Sequence, residues 1–324
     1  MKIVEKIHKL RKEVIRKIKA FYRDFFTVDG VYTSLLPDKV YLKKLYKKKI
    51  GKELNLKNPT LFNEKLNWLK LYDRRPEYTM MVDKYRVREY IKETIGEEYL
   101  VPLLGVYDKV EDIDFDSLPN EFVLKCNHDS EVVICRDKEN NDFQCKKGKI
   151  NSIEEVKAYL KKRMGINFYK ASREWPYKNV KRKIVCEKFM SDGKNADLTD
   201  YKFYCFNGKP QIMYVANIKD SELYIDYFDM NFKHLSISRY DHANLPGDNI
   251  FIVPEKFEEM KLIAAKLSCD IPQVRIDLYS ICGEIYFGEI TFFTAGGFLI
   301  FSPNEWDKIL GDYIELPKKK FRLR

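Results

Sequence analysis

The segment Val274–Phe293, VRIDLYSICGEIYFGEITFF, limits the possible folds more than any other part of this chain. It reads as two strands joined through Ile281-Cys282-Gly283. Successive side chains on a strand point to opposite faces. Val274, Ile276, Leu278, Ile290 and Phe292 therefore make one apolar face, fit for a core. Arg275, Asp277, Glu289 and Thr291 make the other. A turn centred on Gly283 sets Asp277 opposite Glu289 and Arg275 opposite Thr291. Two facing carboxylates repel, and such pairs are disfavoured. A divalent cation between them reverses that sign, and Mg²⁺ takes carboxylate oxygens together with substrate phosphates. An arginine beside a pure metal cage is out of place, but it suits a phosphate, which guanidinium grips through paired hydrogen bonds. The same four residues also read as a solvated polar face with an Arg–carboxylate salt bridge. The hairpin alone does not choose between the two.

The rest of the chain mixes helices and strands without strict alternation. Strands are expected over 121–126, 131–136, 184–190, 200–206, 210–217, 223–228, 273–279 and 284–291. Helices are expected over 2–26, from Asp38 to Lys49, after Asn58-Pro59-Thr60, and over Tyr78–Glu93 up to Gly96. Ser152-Ile153-Glu154-Glu155 is a capping box that starts a helix ending near Gly165. Pro254 and Ser302-Pro303-Asn304-Glu305 mark two more starts. This order argues for an α+β fold with antiparallel sheets, not a doubly wound parallel sheet. The expected domains are a basic helical arm over 1–57 and a body over 58–324, with lobes of roughly 58–190 and 191–324.

The chain has 324 residues and a formal net charge of +10. Of its 59 Lys and Arg, 15 lie in the first 50 residues, against 5 of the 49 Asp and Glu; beyond residue 50 the two signs balance at 44 each. The basic excess thus belongs to the arm, and no zinc-finger, RNP or helix-turn-helix pattern points to nucleic acid. Ile3, Ile7, Leu10, Val14, Ile18, Phe21 and Phe25 give the arm an apolar stripe, with Lys2, Lys6, Lys9, Lys12, Arg16 and Lys19 on its other faces. That pattern fits either docking on an anionic membrane surface through residues 1–26 or packing on protein. No apolar run is long enough to cross a membrane, and the N-terminus lacks the apolar stretch of a signal peptide. The seven cysteines form no CxxC pair, and Cys126, Cys186 and Cys205 sit in apolar runs, so reduced, buried thiols in the cytoplasm are expected. Four scattered histidines offer no zinc spacing. No GxSxG and no GxxxxGK[ST] occurs, so serine-hydrolase and Walker-type sites lack support.

RIDLY, a short turn and GEIYFGEIT, followed by Ala295-Gly296-Gly297, resemble the closing motif of ATP-grasp enzymes such as D-alanine–D-alanine ligase. The resemblance implies Mg²⁺ ligation by Asp277 and Glu289, with Thr291 where Asn is usual, and contact of Arg275 with the transferred phosphate. Val82-Asp83-Lys84-Tyr85, read as helical, looks like the site of a first phosphate lysine, Lys84. FVLKCNHDS looks like the strand and phosphate loop with a second lysine, Lys125, and with His128 and Ser130 as loop donors. IVCEKFM resembles the hinge strand of that fold. This implies that Glu187 accepts from the adenine amine while the backbone at Lys188 and Phe189 meets the ring edge. Asp200 then falls near the ribose and Lys202 near the phosphates.

A fuller likeness, from about residue 60, is to the TupA-like branch of ATP-grasp enzymes. It rests on LFNEKLNWLKLYDR, VDKYRVREYI, VPLLGVYD, FVLKCNHDS, REWPYKNVKRKIVCEKFM, DYKFYCFNGKP and FGEITFFTAGGF, all in one order. It implies an ATP-grasp fold of two α+β lobes enclosing a nucleotide cleft. It also implies an ATP- and Mg²⁺-dependent ligase that joins an amino acid to a uronic acid in bacterial surface polysaccharide synthesis. A sugar kinase on the same fold, a glycosyltransferase and a non-catalytic glycan-binding module stay open as rivals. The aromatic loop Arg173–Tyr177 reads equally as a wall of an acceptor site or as a structural turn.

Overall fold

The computed structural model describes residues 36–191, 193, 198–219, 222–245 and 251–318. The helix expected over 2–26 lies outside the described residues. The chain divides into two compact units, residues 1–54 and 55–324. In the first, helix α1 spans Asp38–Ile50. Asp38 opens it and Lys47–Lys49 close it, each charge on the side that the helix dipole favours. Gly51 ends it in a left-handed conformation, with its N–H on the Lys47 carbonyl.

The second unit opens with α2 (Phe62–Tyr72), α3 (Glu77–Val82) and α4 (Val87–Thr94). A first six-stranded sheet follows: β1 (Leu103–Tyr107), β2 (Phe122–Cys126), β3 (Val132–Asp137), β4 (Asp142–Cys145), β5 (Gly148–Ile150) and β6 (Ile184–Lys188). Its spatial order is β1-β6-β2-β3-β4-β5, all antiparallel. Helix α5 (Ile153–Met164) covers it, and Val156 and Leu160 meet Phe122, Leu124, Val133, Phe143 and Ile184 in a buried cluster. The helix starts where the sequence predicts, with Ser152 Oγ accepting from the Glu155 N–H.

After the short helix α6 (Phe168–Ser172), a second sheet is built from β7 (Asp200–Phe206), β8 (Lys209–Lys219), β9 (Glu222–Asp229), β10 (His234–Leu235), β12 (Val274–Ile281) and β13 (Glu284–Thr291). Its order is β10-β9-β8-β7-β12-β13, again antiparallel. Helix α7 (Phe257–Leu267) packs on it, with Phe257 stacked on Phe203 at 6.1 Å. A two-stranded ribbon of β11 (Ser238–Arg239) and β14 (Phe301–Ser302) precedes the last helix, α8 (Glu305–Asp312). The architecture is the α+β, antiparallel one that the sequence predicts. Cys126, Cys186 and Cys205 are free and buried, and burial pushes each thiol up to about 12, whereas Cys269 and Cys282 are exposed, against the expectation of buried thiols.

One further expectation is corrected. The helix read over Tyr78–Glu93 breaks at Asp83, whose carboxylate accepts from the N–H groups of Tyr85 and Arg86 in the turn that precedes α4. Lys84 therefore sits in a helix break, not on a helix. Phe62 of α2 meets Tyr204 at a tilt and Phe206 and Phe301 edge-on, and the Tyr78 ring of α3 lies 4.1 Å from that of Phe292, so these helices cover the second sheet. Their apolar faces match that sheet's aromatic face, whereas α5 and the segment 110–118 already cover the first.

Helix α2 also carries a polar face. Asn63 exchanges hydrogen bonds with both backbone groups of Leu299, and Asn67 donates to the Gly297 carbonyl at 2.8 Å. The fully buried ammonium of Lys70 donates to the carbonyls of Ser172 and Gly296 and sits 4.6 Å over the Phe298 ring. Asn67 and Lys70 hold the turn Ala295-Gly296-Gly297, where all three residues have positive φ, and Asn63 holds Leu299 just beyond it.

Candidate active site

The β12–β13 turn is the two-residue Cys282-Gly283, both at positive φ, as a tight hairpin with right-handed strand twist requires. Counted from that turn, Ile281 pairs with Glu284 and Leu278 with Phe287. Asp277 would then face Gly288. An irregularity between Asp277 and Leu278 shifts the register by one, leaves Gly288 as the extra residue, and sets Asp277 opposite Glu289 and Arg275 opposite Thr291. The expected pairs are present, but a bulge makes them, not a turn centred on Gly283. A Cβ on Gly288 would stand 3.0 Å from the Asp277 carbonyl oxygen.

The four polar residues share one face and meet. Arg275 Nε and Nη2 each donate to Asp277 at 2.6 Å, and Nη2 also reaches Glu289 and Thr291 at 3.0 Å. Lys202, opposite Asp277 on β7, donates to it at 2.6 Å and also to Asp200. Lys84 Nζ lies 3.1 Å from Glu289. Three cations thus surround Asp200, Asp277 and Glu289. This is not a solvated surface pair: Asp277 is 1% and Arg275 8% exposed. Burial drives the Lys202 ammonium down, but Asp200 and Asp277 outweigh it and hold its pKa well above the ordinary value. Burial drives Glu289 up, yet Lys84 and Arg275 hold it well below the usual carboxylate range. Asp200 is pushed up to about 6, mainly by burial, with Lys202 opposing.

The row continues into a cavity of about 260 Å³. Val101, Val123, Val132, Ile134 and Met190 give it apolar walls, and Lys125, Glu187, Lys188, Phe189, Asp200 and Tyr279 also line it. Five residues predicted for nucleotide contact are thereby brought to one cavity from β2, β6 and β7. Lys125 Nζ lies 2.5 Å from Glu187 Oε2. The loop after β2 folds differently from the expectation. Asn127 donates to Asp83 at 2.8 Å and accepts from the Lys183 N–H, while Arg163 holds Asp129. His128 turns inward: it is 3% exposed, Nε2 faces the Ile166 carbonyl at 3.2 Å, and Nδ1 is buried. The loop presents Ser130, not His128, to its surface.

Some residues in or beside the site were not foreseen. Tyr279 lay within reach of the sequence, being two residues on from Asp277 and so on the same face. Arg88, 3.7 Å from Glu187, gave no signal, because the helix break that aims it is not visible in the pattern. Tyr214, whose hydroxyl accepts from Arg275 at 3.2 Å, lies opposite Lys202 on β8 and needed the sheet order to be found.

A profile of the TupA-like ATPgrasp family matches residues 64–315. The chain belongs to that family. Its fold is ATP-grasp. No curated protein matches the sequence. Among solved structures, D-alanine–D-alanine ligase from Bacillus anthracis complexed with ATP is 16% identical, over 66% of this chain and 54% of its own, with a TM-score of 0.36. D-Ala–D-Ala ligase from Helicobacter pylori is 12% identical, over 78% and 69%, at 0.38. N5-carboxyaminoimidazole ribonucleotide synthetase from Thermus thermophilus is 14% identical, over 71% and 51%, at 0.35. The match spans about half the length of the Bacillus and Thermus proteins.

The donor set suits a hard divalent ion. Asp277, Glu289 and Thr291 bring oxygens side by side, held here by Arg275, Lys202 and Lys84. Mg²⁺ binds in this way, through one or two carboxylates, with substrate phosphates and water completing its shell.

Proposed function

We propose that the protein is an ATP- and Mg²⁺-dependent carboxylate–amine ligase that activates a substrate carboxylate as an acyl phosphate. The observation that carries this reading is the continuity of two sites. A largely apolar cavity with Glu187 and Lys125 at its edge leads through Asp200 and Lys202 to the buried Arg275–Asp277–Glu289 cluster. Family membership supports it.

In this reading the adenine enters the cavity. Glu187 accepts from its amine, and the backbone near Lys188 and Phe189 meets its edge. Lys84, Lys125 and Lys202 bind phosphates, with Ser130 at the loop. Asp277, Glu289 and Thr291 hold Mg²⁺, which neutralises phosphate charge when bound. Arg275 faces the phosphoryl group as the carboxylate oxygen attacks the γ-phosphorus and ADP leaves. An amine then attacks the acyl carbon, phosphate leaves, and the nitrogen loses a proton to give the amide. Protein side chains position groups and balance charge, so no protein nucleophile is needed.

The proposed substrates are a uronic-acid-containing saccharide and an amino acid, in bacterial surface polysaccharide synthesis. The order of motifs shared with the TupA-like branch supports this. The proposed location is cytoplasmic, peripheral at the inner face of the membrane through residues 1–26. The basic excess of the first 50 residues supports that, and no described helix is long and apolar enough to cross a membrane. An ADP-release screen crossing uronic acids with amino acids tests the chemistry. Release that needs both an acid and an amine supports a ligase. Release with a sugar alone points to a kinase and sinks the reading.

A further inference from the structure

At the edge of the cavity one carboxylate has two cationic neighbours. Lys125 Nζ, from β2, lies 2.5 Å from Glu187 Oε2, and Arg88 Nη1, from α4, lies 3.7 Å from Glu187 Oε1. All three side chains are largely buried, at 17%, 16% and 9% exposed for Lys125, Arg88 and Glu187. Lys125 and Glu187 are diagonal neighbours on facing strands, since Val123 pairs with Glu187 and Lys125 with Val185.

We infer that Arg88 is a positioning residue that holds the Glu187 carboxylate when Lys125 leaves it for the phosphates of ATP. The inference rests on the nucleotide reading above. An ammonium group serves two anions at once where they lie side by side, as Lys202 does with Asp200 and Asp277, but Glu187 is proposed to meet the adenine amine, at the other end of ATP from its phosphates. A bound triphosphate therefore draws Lys125 away from Glu187. Glu187 would then be a nearly buried carboxylate whose remaining partner is the neutral amine of the base. Leaving a buried charge unpaired is costly. Arg88 already stands on the other carboxylate oxygen. With Arg88 in place the exchange of Lys125 proceeds without stranding Glu187. Without it, Lys125 stays on Glu187, and ATP gains little from its phosphates. Adenosine, which has none, makes no demand on Lys125.

Calorimetric titration of adenosine and of Mg·ATP into the full chain separates these cases. The wild type is expected to bind ATP more tightly than adenosine. Arg88→Gln should cut that advantage about tenfold or more, while the adenosine Kd changes by less than about twofold. Arg88→Lys keeps a cation and should retain most of the advantage. In a Glu187→Gln chain there is no charge to strand, so adding R88Q should leave the ATP-to-adenosine ratio unchanged. This background also avoids any folding defect from an unpaired carboxylate. The inference is overturned if R88Q weakens adenosine and ATP equally, if it weakens neither, or if it lowers the ratio as much in the Glu187→Gln background as in the wild type. A wild type that binds neither ligand overturns the nucleotide reading itself.

Discussion

Asp277 and Glu289 face each other, yet their surroundings differ enough to separate their roles by mutation. Asp277 is 1% exposed and takes hydrogen bonds from both Arg275 and Lys202, whereas the Glu289 side chain is 31% exposed and meets Lys84 and Arg275 at 3.0–3.1 Å. From sequence, Asp277→Asn only relieves a like-charge repulsion. In the folded protein it removes the carboxylate that Arg275 and Lys202 share and leaves them Glu289 and Asp200 alone, so a loss of about 3 kcal/mol is expected. Glu289→Gln should cost about 1 kcal/mol or less, because solvent screens that side chain. Both should lower ADP release by about a hundredfold or more. Urea melts read beside turnover check this, and an Asp277→Asn protein with wild-type stability would contradict the buried-cluster account. His128 makes a separate prediction about pH. Its pKa is lowered, first by burial and then by Arg182 and Lys84, with Asp129 opposing. Below about 6.5 the unfolded chain takes up a proton that the folded chain refuses, so stability falls as pH drops. The slope is at most about 1.4 kcal/mol per pH unit and ends at the folded pKa; above about pH 7 the term vanishes. The urea midpoint of His128→Gln should be flatter between pH 7 and 5 than that of the wild type. An unchanged slope would mean that the imidazole is not held neutral.

At the scale of elements, the most legible feature was alternation, and the least legible was any departure from it. Period-two patterning located β2, β3, β6–β9, β12 and β13 because each buries one or both faces. It missed Leu103–Tyr107, Asp142–Cys145 and Gly148–Ile150, which are short and lie toward the sheet's two ends, where little apolar patterning is needed. The break at Asp83 was hidden because apolar residues keep a helical spacing through it. The bulge at Gly288 was hidden because alternation cannot count an extra residue. Its function can still be tested. Gly288→Ala sets a methyl 3.0 Å from the Asp277 carbonyl oxygen and 3.1 Å from the Tyr279 ring. Either the strands part or the extra residue is expelled, and expulsion turns Glu289 away from Asp277. The expected cost is about 1–3 kcal/mol, with turnover lost out of proportion to it. A Gly288→Ala enzyme with normal turnover would show that the site tolerates either register.

For the whole molecule, the sequence supplied the parts of the site but not their meeting. Val101, Val123, Glu187, Asp200 and Tyr279 line one cavity although 178 positions separate the first from the last. No local pattern records that closure; the order of family motifs carried it instead. The same holds for Lys70, whose interior ammonium ties α2 to two distant carbonyls and reads in sequence as one more helix lysine. The arm poses the opposite problem, since its sequence pattern is clear and its two readings call for different surroundings. Every residue proposed to meet the nucleotide or the metal lies in the unit 55–324. A shortened chain starting at Asn55 should therefore bind Mg·ATP with a Kd within about twofold of the full chain. Vesicle sedimentation then separates the two readings of residues 1–26. Apolar residues of an interfacial helix enter the headgroup region, and each Lys or Arg near an anionic surface contributes about 1 kcal/mol. Docking predicts that the full chain pellets with anionic vesicles, that neutral vesicles leave it in solution, and that added salt releases it, because screening acts on exposed charges. The shortened chain should stay in solution throughout. If both chains stay in solution the membrane proposal fails, and loss of ATP binding by the shortened chain would then show that residues 1–54 serve the catalytic unit.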